Sequence, residues 1–541
     1  MQVFYNARIY TMDVGKPIAS ALIVEGDRFS AVGEDEGIQS LAKASAKSKY
    51  VAINLQGRTV LPGLTDAHIH LENYALGLKK VDCETPSRQE CLQRVVERAR
   101  NTPTGEWIFG HGWNQNSWPE GFGTAADLAK AAPNHPVYLT AKSLHAAWAN
   151  SQALREANLT DVTPDPPGGR FGRDDRGRLN GVLFEGAMDL VVQAIPEPRI
   201  SQVAEAIRFA QPLLWRMGLT GVHDFDRKRC FTALQLLHRN HELKLRVIKS
   251  LHLENLEHAA ALGLATGFGD DFLRLGSVKA FSDGALGPQT AAMLQPYNDS
   301  PTNRGMLLLD AEELSEQGRA AIANGLSLAV HAIGDRANHE VLDAFDDLRN
   351  YEADLFFNGD RASAIRKGLR HRIEHVQVIH TDDAARIARL GVVASMQPIH
   401  ATSDMLMADR YWGERAKLSY AWRTQLSSGA VLAFGSDAPV ESPNPFWGLH
   451  AAVTRRRIDG SPGIEGWYPE QRLSLQEALQ AYTVGAAYAG NVDDHIGRIA
   501  PGYLADMVVL NENPFTCGPD QLHEIFSVAT MVGGEWVYEE F

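Results

Sequence analysis

The stretch TVLPGLTDAHIHL (59–71) runs from apolar and β-branched residues into a pair of histidines. A near-continuous apolar run of this kind is typical of a strand that is buried on both faces of a parallel sheet. His68 and His70 are two residues apart, so on an extended chain both rings point to the same side. The stretch therefore predicts a buried strand that ends in two imidazole groups.

Seven further runs with the same character follow along the chain. They are GLTGVHDF (218–225), LKLRVIKSLHL (243–253), LRLGSVKAFSD (273–283), LSLAVHAIGD (326–335), RHRIEHVQVIH (370–380), GVVASMQPIH (391–400) and VLAFGSDAPV (431–440). Amphipathic segments such as DAEELSEQGRAAIANG (310–325) and TDDAARIARLG (381–391) lie between them and predict helices. Eight buried strands that alternate with helices predict an α/β fold of the (β/α)₈ TIM-barrel type.

Both ends of the chain have a different pattern, with short alternating runs and Gly- and Asp-rich turns. We expect residues 1–60 and 496–541 to form one small composite β-sandwich domain, and residues 61–495 to form the barrel. The first two barrel strands are separated by about 145 residues, which is too long for a structureless loop. We therefore predict an inserted subdomain at about 75–215 that covers one face of the barrel.

Composition excludes several classes of protein. The chain has 541 residues, a net charge of −14 and only four cysteines without CxxC spacing. These features argue against a disulfide scaffold, a zinc ribbon, and binding to nucleic acid or to an anionic membrane. No apolar run approaches the roughly 18 residues of a spanning helix, and the first residues do not resemble a secretory signal. We expect a cytoplasmic protein that acts on a small-molecule substrate.

Six side chains that bind metals or act as bases lie at the carboxyl ends of the predicted strands. They are His68 and His70 on strand one, Lys279 on strand four, His331 on strand five, His375 on strand six and Asp437 on strand eight. In barrel enzymes this face carries the active site. Imidazole and carboxylate groups suit zinc, manganese or related divalent ions.

Four histidines and one aspartate exceed what one tetrahedral metal with a bound water can use. Two metals about 3.5–4 Å apart would use them all if an anion bridged the two ions. Lys279 could supply that anion as a carbamate formed with CO₂, whereas a cationic lysine would repel the metals. Each residue taken alone has a structural explanation, such as a hydrogen-bonded core histidine, a salt-bridged lysine or a turn-capping aspartate. The joint pattern favours a metal site.

Several motifs carry a family resemblance over essentially the whole chain. The sequence resembles the amidohydrolase superfamily of metal-dependent hydrolases. The motifs that carry this resemblance are PGLTDAHIH, HAIGD, RIEH, FGSDAP and the tail GRIAPGYLADMVVL. Within the superfamily, the sequence is similar to the amidohydrolase family 3 branch, which contains N-substituted formamide deformylases. The motifs that indicate this branch are SLHAAWANSQAL, PDPPGGRFGRD, GVLFE and VKAFSDGALGPQTAAML. The resemblance identifies a reaction type better than it identifies a substrate.

The resemblance implies a ligand assignment. His68, His70 and Asp437 would hold one metal, His331 and His375 would hold the other, and carboxylated Lys279 would bridge them. The metals would be two Zn²⁺ ions, with Mn²⁺ or Fe²⁺ as alternatives, although some superfamily members use a single metal. Asp437 would also act as proton shuttle, and the assembly would be a homodimer or homotetramer.

The predicted function is hydrolysis of a C–N bond in an amide, formamide or carbamate-type small molecule by a metal-activated hydroxide. Alternatives are a metal-dependent isomerase, decarboxylase, esterase or lactonase on the same barrel, because a fold does not dictate the bond that is broken. A non-catalytic assembly protein is a further alternative, but the complete set of ligand-type residues argues against it.

Substrate contacts are predicted in two places. Trp113 and His145 lie in the insertion that should cover the site, and Asp283 and Gln289 follow strand four on the active face. Four other histidines are expected to be structural or to lie at the rim of the site: His111, His223, His252 and His400.

Overall fold

A computed structural model describes residues 1–45, 50–143, 145–357 and 368–540. The chain divides into two compact units, each with its own contacts. The first combines Met1–Tyr74 with Ile207–Phe541, and the second spans Ala75–Ala206.

The first unit contains eight parallel strands that form a nearly closed barrel, and each strand pairs with the next one in chain order. They are Leu64–Ile69, Leu219–Asp224, Arg246–His252, Leu273–Phe281, Leu328–Ala332, Arg372–His375, Val393–Met396 and Leu432–Phe434. Every one of the eight predicted apolar runs contains one of these strands. Strands one, two, six, seven and eight are buried at every position, as near-continuous apolar runs require. The predicted mixed α/β fold with a parallel barrel is confirmed.

The loop after strand eight returns to strand one through Asp66. Its Oδ1 accepts hydrogen bonds from the backbone N–H groups of His68 and Ser436, both at 3.0 Å. The backbone N–H of Asp437 then donates to the carbonyl of His68 at 2.7 Å. At Gly435 a Cβ atom would lie 2.4 Å from the His68 nitrogen, so this close approach requires glycine. Closure of the barrel thereby places Asp437 beside the strand-one histidines.

Helices follow most barrel strands. Those of the first unit, with the two that run across the boundary between the units, are Asp35–Ser45, Leu71–Gly77, Ile200–Arg216, Lys228–Arg239, Leu256–Ala261, Ala311–Ala323, Asp335–Phe357, Arg386–Arg389, Pro398–Trp412, Trp422–Ser427, Pro445–Thr454, Leu475–Tyr482 and Val484–Ala489. Short 3₁₀ helices occupy Leu253–Asn255, Gly413–Leu418, Pro469–Gln471 and Pro519–Glu524. Across the described ranges, no helix is both long enough and apolar enough to cross a bilayer.

Two antiparallel-rich sheets adjoin the barrel within the first unit. The four-stranded sheet has the order Arg28–Gly33, Ala21–Glu25, Gln2–Tyr5 and Val51–Asn54. The six-stranded sheet has the order Glu535–Glu539, Ser527–Val532, Met507–Leu510, Thr59–Pro62, Arg8–Tyr10 and Ile18–Ala19. Strands from both ends of the chain therefore share one sheet. A single buried cluster joins Phe4, Leu22 and Phe29 to Met507 and Met531.

The second unit is built around its own six-stranded sheet. The strand order is Gly169–Arg173, Leu179–Glu185, Ala146–Ala149, Val137–Ala141, Ile108–Trp113 and Val81–Asp82. Its helices are Arg88–Arg100, Ala125–Ala131, Ser151–Glu156 and Gly186–Val192. Trp113 and Trp148 are fully buried in one cluster of this unit, and Phe171 and Leu183 are buried in another.

Candidate metal centre

The six predicted ligand residues all lie at or just beyond the carboxyl ends of barrel strands. His68 Nε2 lies 3.6 Å from Asp437 Oδ1, and His70 Nε2 lies 3.4 Å from the same oxygen. The ring of His375 is 5.0 Å from the ring of His68 and 4.6 Å from the ring of His331, measured between centroids. The barrel therefore brings these five side chains together in one cluster.

One ring nitrogen of each strand-one histidine is held by a carboxylate. His68 Nδ1 lies 2.6 Å from Glu374 Oε2, and His70 Nδ1 lies 3.1 Å from Asp226 Oδ1. Since an ionised carboxylate only accepts hydrogen bonds, Nδ1 must carry the proton in both rings. The Nε2 atoms of both rings face Asp437, and in the neutral ring each carries the lone pair that a metal requires.

The other two histidines are fixed in the same manner by neutral acceptors. His331 Nε2 donates to the carbonyl oxygen of Gly284 at 2.8 Å, and His375 Nδ1 donates to Gln397 Oε1 at 2.8 Å. The second ring nitrogen of each is free of protein hydrogen bonds within the described residues. A histidine that ligates a metal almost always donates its other N–H group to such an acceptor. All four rings show this arrangement.

Lys279 is buried on strand four beside this cluster. Its Nζ lies 4.8 Å from the centroid of the Phe225 ring and 4.9 Å from that of Phe281. Burial lowers the pKa of its amine to about 8. Its Nζ takes part in no hydrogen bond or ion pair with the described residues, which is unusual for a buried lysine.

An arginine–glutamate pair lies beneath His68. Glu374 accepts hydrogen bonds from Arg372, which also donates to His223 Nδ1 at 2.8 Å and to the carbonyl of Ala67 at 2.6 Å. Burial alone would raise the pKa of the Glu374 carboxyl, but Arg372 and His68 outweigh it and hold that pKa well below its ordinary value. Glu374 is therefore an ionised acceptor that orients His68.

The donor set fits a divalent metal. Nitrogen and oxygen ligand atoms of His68, His375 and Asp437 lie within 4.8 Å of one another in a buried group. For His70, burial would lower the pKa, but the carboxylates of Asp226 and Asp437 raise it to about 9. The negative potential that favours a proton on His70 also favours a bound cation. Imidazole and carboxylate ligands of this kind suit zinc and related ions.

A second buried acidic group is already neutralised by the chain. It consists of Asp224, Asp226 and Cys230. The ammonium of Lys249 lies 2.8 Å from Asp224 Oδ2 and also donates to the backbone carbonyl of Asp226. Because a lysine occupies the position that a cation would take, this group stabilises the loop after strand two rather than binding a metal.

The two predicted substrate residues in the first unit differ in accessibility. Asp283 is fully buried, and its oxygens accept hydrogen bonds from the backbone N–H groups of Ala292, Ile333 and Gly334 at 2.8–3.0 Å. Gln289 is partly buried and its side-chain nitrogen donates to Asp299 at 3.2 Å. A substrate contact of either residue stays a prediction, and the geometry of Asp283 is that of a structural clamp.

Trp113 and His145 belong to the second unit. Trp113 is buried, and its Nε1 donates to the carbonyl of Leu139 at 2.8 Å. His145 is exposed, with Nδ1 2.9 Å from Glu185 Oε1. Packing inside the unit accounts for Trp113, whereas the ring of His145 is accessible. Their predicted contacts with substrate remain predictions.

Sequence reasoning missed the residues that orient the ligands. Glu374 directly precedes His375 in RIEH, Asp226 follows Asp224 by two residues, and Gln397 directly follows strand seven. Polar residues at the ends of apolar runs are the signal that could have identified them. His400 was expected to be structural or to lie at the rim of the site, and its ring lies 6.3 Å from that of His375, so it borders the cluster.

Comparisons with known proteins identify the family of this chain. The amidohydrolase family matches residues 51–538 of the chain. The putative amidohydrolase YtcJ of Bacillus subtilis is 32% identical over 99% of this chain and 99% of its own length. The N-substituted formamide deformylase of Arthrobacter pascens is 28% identical over 99% of this chain and 97% of its own length. Among solved structures, an uncharacterized metal-dependent hydrolase from Pyrococcus furiosus is similar to this chain, with 30% sequence identity and a TM-score of 0.77. The alignment covers 95% of this chain and 100% of the other.

Proposed function

Because this chain belongs to the amidohydrolase family, we propose that its barrel hydrolyses a C–N bond of a small-molecule amide, formamide or carbamate. The protein is a metal-dependent hydrolase that acts on carbon–nitrogen bonds. The observation that supports this site most directly is the arrangement of the four histidines, each of which has one ring nitrogen held by a protein acceptor. The second nitrogens of His68 and His70 face Asp437, a predicted ligand of the same site.

The chain offers ligands for two metals, with zinc the best match. His68, His70 and Asp437 would hold one ion, and His331 and His375 would hold the other. When bound, the metals would polarise the scissile carbonyl and provide a hydroxide at neutral pH. The histidine tautomers are already set for this role by Glu374, Asp226 and the other acceptors.

Lys279 would bridge the two metals as a carbamate. Its amine would attack CO₂, form one N–C bond and release one proton, and the product would carry a negative charge on two oxygens. A buried ammonium without an ion-pair partner is costly, whereas a carbamate between two cations is well compensated. The burial of Lys279 on strand four supports this proposal.

Asp437 is the proposed proton shuttle. Its Oδ1 lies within 3.6 Å of Nε2 of both strand-one histidines, and the loop after strand eight fixes its backbone through the carbonyl of His68. The carboxylate would take a proton from the attacking water and hand it to the departing amine nitrogen as the C–N bond breaks. The acid product and the free amine would then leave the site.

Formamides are the proposed substrate class. The support is the relative from Arthrobacter pascens, which is named for N-substituted formamides and aligns with nearly the whole chain. In a formamide the acyl substituent on the carbonyl carbon is a single hydrogen atom. Such a substrate therefore needs little space beside the metal cluster on its acyl side.

The proposed domain organisation follows the sequence boundaries. Residues 1–60 and 496–541 would form a β-sandwich domain, and an inserted subdomain would occupy about 75–215. The six-stranded sheet shared by both ends of the chain supports the first, and the separate unit at Ala75–Ala206 supports the second.

The test is release of amine from N-phenylformamide by the zinc-loaded protein. We expect aniline and formate in equal amounts, and a loss of at least about 10²-fold in kcat for Asp437→Asn at saturating zinc. Asp459→Asn, at an exposed aspartate, is the control and should keep full activity. Consumption of the formamide without amine would favour another reaction, and full activity of Asp437→Asn would contradict its role as proton shuttle.

A further inference from the structure

His400 lies beside the metal cluster but is not used by the proposed mechanism. It belongs to the first turn of the helix Pro398–Trp412, directly after strand seven. Only 5% of its surface is exposed, and its ring lies parallel to that of His375, with an angle of 8° between the planes. It is also close enough to Asp437 for its charge to help lower the pKa of that carboxyl, after the larger effects of burial and of other histidines.

The ring of His400 has a buried nitrogen without a partner. Within the described residues, Nε2 of His400 is fully buried and forms no hydrogen bond, and the amide nitrogen of Gln397 is in the same condition. An unpaired buried donor costs about 1–3 kcal/mol. Two such unpaired nitrogens within one helical turn, beside a cluster of ligand-type side chains, indicate a partner that is not part of the chain.

A metal is not the best partner for His400. The buried group whose ligand atoms lie within 4.8 Å contains His68, His375 and Asp437, and His400 is not in it. The four predicted ligand histidines each donate one ring N–H to a protein acceptor, whereas neither ring nitrogen of His400 has an acceptor among the described residues. No protein acceptor therefore holds the His400 ring as the ligand rings are held.

We propose that His400 is a catalytic residue that donates a hydrogen bond to the oxygen of the scissile carbonyl, with the Gln397 amide as a second donor. The inference rests on the proposed function, since it assumes a carbonyl substrate at this centre. Negative charge develops on that oxygen during attack, and a fixed donor aimed at it stabilises the transition state more than the substrate. Removing one such donor typically lowers kcat by 10²- to 10³-fold.

Two substitutions at the same position separate this role from packing. His400→Phe keeps a flat ring but has no donor, and His400→Gln restores an N–H group. On N-phenylformamide we expect His400→Phe to lose about 10²- to 10³-fold in kcat with little change in KM, and His400→Gln to recover part of the loss. Metal content should equal that of the wild type in both variants. His258→Phe, at an exposed histidine of the helix Leu256–Ala261, is the control.

A second probe keeps the inference testable if formamides prove to be the wrong substrates. Acetohydroxamate, whose oxygens chelate metals, is titrated into the metal-loaded proteins by calorimetry. Weaker binding by His400→Phe, of tenfold or more, with recovery in His400→Gln, would support the donor. Unchanged kcat and unchanged affinity, loss of metal from His400→Phe, or no binding to metal-loaded wild-type protein would overturn it. Inactive wild-type protein that shows the expected acetohydroxamate pattern would overturn only the formamide assignment.

Discussion

His68 Nδ1 and Glu374 Oε2 are 2.6 Å apart, and both side chains are fully buried. The pair joins strand one to strand six across the barrel. Since Glu374 also accepts from Arg372, both of its oxygens face N–H donors. The carboxylate therefore fixes the orientation and tautomer of His68.

Glu374→Gln tests this orientation. The amide keeps the shape of the carboxylate but turns one acceptor into a donor, which must then face Arg372 or His68. We expect metal affinity to fall about 10- to 100-fold, measured by competition with a chelator. Glu352→Gln is a matched control, because Glu352 holds His371 at 2.8 Å just before strand six begins. That variant should lose stability and keep its metal affinity; equal metal affinity in both variants would contradict the assigned role of Glu374.

Asp283→Ala should reduce stability rather than substrate binding. The change leaves three buried N–H groups without an acceptor, at Ala292, Ile333 and Gly334. At about 1–3 kcal/mol for each group, we expect a loss of at least about 3 kcal/mol in the free energy of unfolding, measured by urea titration. Asp283→Asn retains one acceptor oxygen and should lose less. A raised KM with unchanged stability in the asparagine variant would instead support a substrate contact.

The Arg246–Asp506 pair joins barrel strand three to the chain just before Met507–Leu510. Two hydrogen bonds of 2.6 and 2.8 Å connect the guanidinium with the carboxylate, and both residues are buried. Asp506→Asn leaves a buried arginine charge without its partner, so we expect a loss of about 3–5 kcal/mol in the free energy of unfolding. Asp347→Asn, in the exposed pair with Arg319, should cost less than about 1 kcal/mol. Equal losses in the two variants would show that the buried pair is not structurally important.

Acid should weaken the contact between Glu477 and Arg423. The hydrogen bond from Arg423 is the main cause that lowers the pKa of Glu477 to about 2. A depressed folded-state pKa means that this contribution is complete above about pH 4.5 and disappears as the pH falls toward 2. Glu477→Gln should therefore be less stable than the wild type by about 1 kcal/mol at pH 7, with a gap that narrows below pH 4.5. Urea titrations at several pH values check this, and a gap independent of pH would contradict it.

The barrel could be predicted from sequence because its strands are buried on both faces. Runs such as LSLAVHAIGD (326–335) are mostly apolar, and a polar side chain lies near the carboxyl end of the run. Because these side chains lie at or near the carboxyl ends of barrel strands, the sequence predicts that His68, His331, His375 and Asp437 lie together. No information about the loops is needed for that prediction.

Contacts that depend on tertiary packing could not be predicted in this way. The segment 381–391 has a helical pattern, but only Arg386–Arg389 is helical, and Asp383 instead contacts His339 across the fold. His400 belongs to a helix that begins after strand seven, so its place beside His375 depends on how that helix packs. Acceptors such as the carbonyl of Gly284 carry no sequence signal, because every residue has one.

Metal content per chain tests the central claim most directly. Protein grown with bicarbonate and purified without chelator is analysed by elemental mass spectrometry, with protein concentration from amino-acid analysis. The two-metal centre with carboxylated Lys279 predicts about two divalent ions per chain, and Lys279→Ala should reduce that value. A value near one in the wild type would contradict the bridging role of Lys279, and a value near zero that added zinc or manganese does not restore would contradict the metal centre itself.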